Sequence, residues 1–594
     1  MNKIECEKFV ISKDFKNFIE NSNDFCLKDV QTFFPIMSNF KCFTNYQSVH
    51  ENYILNSRFK LIDFSSKEGL VISCDKGTEN YKSYNAFLFD GLQKKKIDKP
   101  IFMKQSPILD PLFQMTNKYP NSKHNNCLPF SNKYSKELNR KMNSQNNATY
   151  IDCFFTYLGS KLVENNLCPG FPLYYGSYCG VAKEFEHDIT EEYDDYMRKP
   201  WFVKGIKRKS LFSLRYIHDN EEYEISDEDN NCSNSSTNDN TSTSSDDSCS
   251  INDDSSSLND DTSNVTENLS SIDTNITFLK IDDDISYEND NICIKEIEEN
   301  MLDEIPEIDN LKKSDGSVKF DDDKEVYAIL KNFPVQIICM EKCQGTLEDI
   351  LERTIDDYRK IKSLNNEKDV SNFIKKRDYE WCAYILQICF SLAIAQKHYD
   401  FTHNDLHSSN IMFVLTQDEY IYYKFKNKYY SIPTFGKILK IIDFGRAVYK
   451  VDGKEYFSDV FELNSDAGGQ YTYPDDRGKT NTVVYPNKSF DLSRLSTSII
   501  LDLFPENPKS KENGKFLSKT QKETESKLFN LLYSWIVDKY RKEVTRYDDF
   551  DLYKIIARRM TNAKPENQIS KEIFNKYIIK ETEIDLKKGN VYVF

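Results

Sequence analysis

Apolar residues recur along the chain with two different spacings, and each spacing predicts a different element. Between residues 151 and 162 they return every three or four positions, which is typical of one face of an α-helix. Short apolar runs bounded by polar residues are typical of β-strands. The predicted helix face consists of Ile151, Phe154, Phe155, Leu158 and Leu162. The predicted strands of this region are Leu70–Ser73, Ala86–Phe89 and Ile101–Lys104.

Beyond residue 326 the apolar segments become longer. Val335–Met340 (VQIICM) is apolar throughout, which predicts a buried strand. Helical spacing follows over Thr346–Leu364 and over Tyr379–His398. The second of these helices is apolar on nearly every face (WCAYILQICFSLAIA), as expected for a helix at the centre of a large domain.

The composition changes abruptly between about residues 220 and 322. This stretch is rich in serine, asparagine, aspartate and threonine and poor in aromatic residues. Such a composition buries too little apolar surface to offset the entropy of ordering, so we predict a disordered insertion over 217–325, with a weak helix near Ile294–Leu302. A solvated spacer is the simplest interpretation. Its acidic serine clusters also suit phosphorylation by an acid-directed kinase or binding of a basic partner.

The charge of the chain is unevenly distributed. The whole chain carries a net charge of −16, but residues 221–320 hold 28 acidic residues against 5 basic ones, which leaves a net of +7 for the remainder. This weak positive charge suits a protein that handles phosphates and does not indicate nucleic-acid binding. The 15 cysteines form no CxxC pair, and no apolar leader or membrane span is apparent. We therefore expect reduced thiols, no membrane association and an intracellular location, in a host cytoplasm or a virion if the chain is viral.

Two short segments carry the strongest chemical signal, HNDLHSSNIMF at His403–Phe413 and KIIDFGRA at Lys440–Ala447. Phosphoryl transfer needs a carboxylate beside the attacking hydroxyl and oxygen ligands that hold Mg²⁺ on the phosphates. Asp405 and Asn410 lie in a predicted loop after the apolar helix, and Asp443 ends an apolar run. A β-hairpin is predicted between the two segments.

Together these segments resemble the catalytic loop and the Asp-Phe-Gly motif of eukaryotic-type protein kinases. The resemblance implies an α+β, bilobal fold with a small β-rich N-lobe and a larger helical C-lobe, and it implies ATP and Mg²⁺ as cofactors. It makes Asp405 the catalytic base or the residue that orients the hydroxyl. It makes Asn410 and Asp443 the metal ligands, and His403 a packing and hydrogen-bonding residue of the loop.

The resemblance extends to residues outside the two segments. Lys104 matches the strand lysine that contacts the α- and β-phosphates, and Asp152 stands where its acidic partner is expected, one methylene shorter than the usual glutamate. The residues around Glu341 and Cys343 look like the hinge that binds adenine through backbone groups. Asp491 resembles the buried aspartate that orders the catalytic loop. The alternatives are a solvated edge charge for Lys104 and a helix N-terminal charge for Asp152.

The chain also departs from the kinase pattern. No glycine-rich loop precedes the strand lysine, and only Gly69 and Gly77 lie in the right region. Asn404 replaces the arginine that reads a phosphorylated activation loop, so we expect no activation through that arginine. No Ala-Pro-Glu triplet follows Asp443. His407 stands where many serine/threonine kinases have lysine, a feature shared with small-molecule phosphotransferases.

The whole arrangement is most similar to the divergent serine/threonine kinases of giant DNA viruses of the mimivirus type. The similar segments include FMKQSPILDP, GFPLYYGSY, GTLEDIL and PTFGKILKIIDFGRA. The predicted divisions are an N-terminal extension over 1–66, a kinase N-lobe over 67–216, the acidic insertion over 217–325, a hinge strand over 326–343 and a kinase C-lobe over 344–594.

Three functions fit this pattern. The leading hypothesis is a protein kinase that phosphorylates serine or threonine hydroxyls. The alternatives are a small-molecule kinase of the aminoglycoside or choline kinase type, and a pseudokinase that acts as a scaffold. The missing glycine loop favours the scaffold, whereas the intact Asp405, Asn410 and Asp443 argue against it. The sequence determines neither the substrate nor the oligomeric state.

Overall fold

The computed structural model describes the chain with several gaps. The described residues are 3–9, 12–21, 26–40, 53–65, 81–119, 128–130, 136–208, 211–218, 221–223, 325–462, 465–471, 485–504, 526–547 and 549–594. Nearly all of the predicted insertion lies outside these residues. So do the predicted strand Leu70–Ser73, the predicted helix near Ile294–Leu302, and both Gly69 and Gly77.

Strands and helices are both abundant, which confirms the α+β class. The strands are β1 (Cys6–Lys8), β2 (Leu27–Gln31), β3 (Tyr53–Leu55), β4 (Phe59–Phe64), β5 (Tyr81–Asp90), β6 (Lys95–Pro107), β7 (Tyr174–Asp188), β8 (Ser213–His218), β9 (Glu221–Tyr223), β10 (Glu325–Glu341), β11 (Gly345–Thr346), β12 (Ile411–Leu415), β13 (Tyr420–Phe425), β14 (Lys428–Pro433), β15 (Lys437–Ile441), β16 (Val448–Val451), β17 (Lys454–Phe457), β18 (Ile578–Ile579) and β19 (Val591–Val593).

Of the α-helices in the described residues, six precede residue 346 and six follow it. They are α1 (Lys13–Asn21), α2 (Pro111–Met115), α3 (Lys136–Asn143), α4 (Ala148–Glu164), α5 (Tyr193–Met197), α6 (Pro200–Arg208), α7 (Leu347–Ser363), α8 (Glu367–Tyr399), α9 (Phe490–Leu503), α10 (Lys527–Trp535), α11 (Asp549–Arg559) and α12 (Pro565–Ile569). Short 3-10 turns are also present, including Ser408–Asn410, which leads into β12.

An antiparallel sheet is the main β-structure. Its strands follow the order β2-β7-β10-β6-β5-β4, and β8 pairs with β10 and β9. The predicted strands at 86–89, 101–104 and 335–340 all lie in this sheet, within β5, β6 and β10. Lys104 is paired with Ile338 on β10 and with Tyr81 on β5. The register therefore places this lysine beside the buried second half of β10.

Residues assigned to the N-terminal extension contribute to the same sheet. Strand β2 pairs with β7, and β4 pairs with β5. The sheet therefore continues across the predicted boundary at residue 66. The apolar residues of 1–66 show no strong periodicity, because β2 and β4 are short and partly exposed. The sequence therefore did not predict these two strands.

Helix α4 forms where the apolar spacing predicts it. Asn147 begins the helix, since its side chain accepts a hydrogen bond from the Thr149 amide at 3.0 Å. Nearly every side chain of α4 is buried, including that of Asp152, which is 4% exposed. A buried carboxylate in such a helix requires a partner.

Helix α8 is longer than predicted. The prediction began at Tyr379, but the helix begins after Asn366, whose side chain accepts from the Lys368 amide at 3.1 Å. The first third of α8 is polar and largely exposed, so the apolar pattern marks only the buried part. Asp400 ends the helix in the left-handed region, with φ of 49°.

The predicted hairpin between His403–Phe413 and Lys440–Ala447 is present, and a second hairpin is inserted within it. Strands β12 and β15 pair antiparallel. Between them, β13 and β14 form a second hairpin that extends into a four-stranded sheet with β18 and β19. Strands β18 and β19 thus pair with the hairpin that is inserted between the two segments.

Within the described ranges, no helix has the length and apolar composition needed to cross a bilayer. Cys153 and Cys339 are buried in these ranges and form no disulfide.

Candidate active site

The loop that follows α8 is fastened through its backbone. The amides of His403 and Asn404 donate to the carboxylate of Asp491 at 3.0 to 3.1 Å, and Asp491 is fully buried in the first turn of α9. The His403 ring is also buried and lies 2.8 Å from the carbonyl oxygen of Ile442. Asn404 has a φ of 66°, which turns the chain sharply just before Asp405.

Replacing Asp491 with alanine is expected to lower the free energy of unfolding by about 3 kcal/mol, because two buried amides lose a charged acceptor. Urea unfolding of the purified protein measures this loss. Asp502→Ala is the matched control, since Asp502 lies on the same helix and is only partly buried. Equal unfolding midpoints for the two variants would contradict the assigned role.

Asp405 and Asn410 are joined across the turn that separates them. The Asn410 side-chain amide donates to the Asp405 carbonyl oxygen at 2.9 Å. Asn410 itself is 8% exposed and lines the cleft described below. The Asp405 carboxylate is partly exposed and accepts a hydrogen bond from the Tyr553 hydroxyl at 2.6 Å.

Asp443 is held outward by the burial of its neighbour. Phe444 is fully buried, with ring centroids 4.7 Å from Phe155 and 5.6 Å from His403. The Phe444 amide donates to Asp152 at 2.8 Å. Asp443 itself has a φ of 63°, so the backbone reverses there and leaves its side chain 46% exposed.

Lys104 lies between two carboxylates. Its Nζ is 2.8 Å from Asp152 Oδ2 and 2.8 Å from Asp443 Oδ1. The positive charge of Lys104 lowers the pKa of Asp443 to about 2. Burial raises the pKa of Asp152, and the attraction of Lys104 opposes that rise. Because the pKa of Asp443 is depressed, its carboxylate stays charged at neutral pH and gains a proton only as the pH falls toward 2.

A cleft runs past these groups. Lys104, Asp152, Asn410 and Asp443 line its polar end, and Glu341 and Cys343 line another part. Apolar and aromatic side chains form most of the remaining wall, namely Phe102, Pro172, Met340, Met412, Ile442 and Phe444. This combination of an apolar slot with a few convergent polar groups is typical of sites for small ligands.

An ion pair lies beside the part of the cleft that Glu341 lines. Glu341 Oε2 lies 2.9 Å from Nζ of Lys440, a lysine that is only 4% exposed and that also donates to the Phe171 carbonyl oxygen at 3.1 Å. The Glu341 amide donates to the Leu173 carbonyl oxygen at 2.8 Å. The end of β10 is therefore tied both to β15, through Lys440, and to the residue just before β7.

The side-chain oxygens at the polar end of the cleft fit a magnesium ion that phosphates would also bind. One carboxylate, Asp443, and one amide oxygen, Asn410, line the same cleft. Magnesium binds through one or two protein oxygens when phosphates and water complete its shell. No cluster of three or more His, Cys, Asp or Glu occurs among the described residues, so a site built from protein ligands alone is not found there.

Residue 404, an asparagine in this chain, contacts the segment that follows Asp443. The Asn404 side chain donates to the Arg446 carbonyl oxygen at 2.9 Å and accepts from the Tyr471 hydroxyl. Asp459 Oδ2 lies 2.7 Å from Lys141 Nζ, and its Oδ1 accepts from the Ala148 amide at 3.1 Å at the start of α4. A carboxylate thus connects this segment to the helix that carries Asp152.

Six of the seven candidate residues line one cleft, and Asp405 adjoins it through its contact with Asn410. Sequence reasoning missed Tyr553, which lies 148 residues after Asp405 and has no local signal. It also passed over Arg446, whose Nε lies 3.8 Å from Asp405 Oδ2. A cation directly after the Asp-Phe-Gly segment was a usable signal for Arg446.

Comparison with known proteins gives two partial similarities. A protein of Acanthamoeba polyphaga mimivirus, named as a candidate serine/threonine-protein kinase, is 39% identical over 75 residues, 12% of this chain and 19% of that protein. The serine/threonine-protein kinase haspin homolog of Drosophila melanogaster is 32% identical over 108 residues, 18% of this chain and 19% of that protein. The chain thus spans about a fifth of the length of either relative. No family model matches it. These similarities indicate that the matched segments are distantly related to protein kinases.

Proposed function

We propose that this chain is a protein kinase of the eukaryotic type that transfers the γ-phosphate of Mg-ATP to serine or threonine hydroxyls of proteins. The observation that carries the proposal is Lys104 held between Asp152 and Asp443 in one cleft. These residues are separated by as many as 339 positions, and their convergence on one cleft supports the roles that the kinase resemblance implies for them.

The proposed fold is bilobal. The sheet that contains β6, with α4 against the cleft, would be the N-lobe, and the helices from α7 onward would form the C-lobe. The strand end at Glu341 and the following Cys343 would bind adenine through backbone groups. The divisions at 1–66, 67–216, 217–325, 326–343 and 344–594 are part of this proposal, with the qualification that β2 and β4 join the main sheet.

The proposed reaction uses the residues in distinct roles. Lys104 would hold the α- and β-phosphates, while Asn410 and Asp443 would hold Mg²⁺, which neutralises charge on the phosphates when bound. Asp405 orients the acceptor hydroxyl and accepts its proton. The acceptor oxygen forms a bond to the γ-phosphorus, the bond from that phosphorus to the β,γ-bridging oxygen breaks, and ADP leaves.

The direct test is transfer of label from [γ-³²P]ATP to the full chain and to mixed protein substrates. We expect hydroxyl-linked label in the presence of Mg²⁺, none after chelation with EDTA, and none from [α-³²P]ATP. Phosphoamino-acid analysis then separates serine and threonine from tyrosine. Binding of ATP without transfer to protein would favour a small-molecule acceptor, and failure to bind ATP would favour a scaffold.

A further inference from the structure

The two oxygens of the Asp405 carboxylate have different surroundings. Oδ1 accepts a hydrogen bond from the Tyr553 hydroxyl at 2.6 Å. Oδ2 faces the Arg446 guanidinium, with 3.8 Å to Nε. The first contact is short and charge-assisted, whereas the second is too long for a hydrogen bond. One oxygen of the candidate base is therefore fixed and the other retains capacity for a further donor.

Tyr553 is itself held in place from several sides. The guanidinium carbon of Arg494 lies 5.0 Å from the centre of its ring, and that of Arg446 lies 5.7 Å from it. The rings of Phe490 and Phe550 lie 6.2 and 6.0 Å away. Such cation–π and ring contacts favour one orientation of the side chain.

The tyrosine and the catalytic loop share one support. Phe490, which packs against Tyr553, is fully buried and directly precedes Asp491, whose carboxylate accepts the backbone amides of His403 and Asn404. Helix α9 thus sets the position of both the loop backbone and the tyrosine. A side chain with only two rotatable bonds loses little entropy in such a place.

The direction of the hydrogen bond follows from the protonation state. Burial and the neighbouring Asp405 raise the pKa of Tyr553, so the phenol keeps its proton at neutral pH. A carboxylate only accepts, and therefore the phenol donates. Burial lowers the pKa of His407, which favours its neutral form. The cations that pack against the Tyr553 ring are Arg446 and Arg494.

We propose that Tyr553 is a positioning residue that fixes Asp405 through Oδ1 and directs Oδ2 toward the acceptor hydroxyl. This inference rests on the proposed kinase function, because it concerns the same reaction. The rival interpretation is that Tyr553 occupies the acceptor position and must be displaced before transfer, in which case it inhibits.

Tyr553→Phe removes the hydroxyl and retains the ring contacts. We expect kcat for transfer to protein to fall about 10- to 100-fold, while KM for ATP changes by less than about twofold, because the loss affects orientation and leaves nucleotide binding intact. Tyr540→Phe is the matched control, since it removes the same hydroxyl from a side chain that is 51% exposed.

A second measurement tests the contact without relying on activity. Tyr553→Phe should lower the melting temperature in the wild-type background and have a much smaller effect in the Asp405→Ala background, because the partner is then absent. Equal shifts in the two backgrounds would overturn the contact.

If wild type transfers label and Tyr553→Phe matches it in kcat, the positioning role is wrong. A rise in kcat would show the inhibitory role instead. If wild type transfers no label, the kinase function fails and the inference fails with it.

Discussion

Replacing Asp405 with asparagine is expected to lower phosphoryl transfer to protein by about 100- to 10,000-fold, the usual contribution of a positioned general base. Asparagine keeps the shape of the side chain but cannot take the acceptor proton. It also retains an oxygen that can accept from the Tyr553 hydroxyl, so the loop should stay folded. The binding of ATP should be unchanged, because Asp405 does not line the cleft.

Initial rates of γ-phosphate transfer, measured beside the ATP-dependent rise in melting temperature, separate chemistry from binding for this variant. Asp452→Asn is the matched control. Asp452 lies in the exposed turn between β16 and β17 with a φ of 49°, a conformation that asparagine tolerates well. If Asp405→Asn transferred phosphate at the wild-type rate, Asp405 would not be the base.

Replacing Lys104 with methionine is expected to lower the free energy of unfolding by about 3 kcal/mol and transfer by about 100-fold. The first loss arises because Asp152, with its side chain 5% exposed, loses the cation that offsets the cost of burying its carboxylate. The second arises because the cation that would contact the phosphates is removed. Urea unfolding and initial rates measure the two losses independently.

A double variant separates the two effects of Lys104. Lys104→Met/Asp152→Asn removes both buried charges and keeps an acceptor for the Phe444 amide, so it should regain most of the stability and none of the transfer. Lys161→Met is the control for a buried lysine elsewhere, since Lys161 forms its ion pair with Glu164 at 2.9 Å. It should lose stability and keep its rate. Recovery of transfer in the double variant would exclude a role for Lys104 in binding phosphate.

The contacts of Asn404 and Asp459 concern how the protein would be regulated. Asn404 cannot bind a phosphate as an arginine does, and here its side chain bridges Arg446 and Tyr471. Asp459 supplies a fixed negative charge to Lys141 and to the first turn of α4. The sequence predicted that activation does not proceed through a phosphate bound by residue 404. These contacts give a physical reason for that expectation.

Local pattern determined much of this protein. The apolar spacing predicted α4 and the strands at 86–89, 101–104 and 335–340, because secondary structure follows the period of the buried positions. The two motif segments identified Asp405, Asn410 and Asp443 as candidates, since the chemistry of phosphate and metal binding restricts residue type and spacing. The same pattern failed at the polar start of α8 and at β2 and β4, which lack a continuous apolar face.

Tertiary structure alone decided which distant residues meet. The sequence left open whether Lys104 was an edge charge and whether Asp152 was a helix-end charge, and the sheet register and the buried face of α4 bring the two to 2.8 Å. Tyr553 could not be linked to Asp405 by any local rule, because 148 residues separate them and the contact depends on how α9 and α11 pack. Spacing along a chain fixes which face of an element a side chain occupies, whereas the contact between two such faces depends on the packing of the whole core.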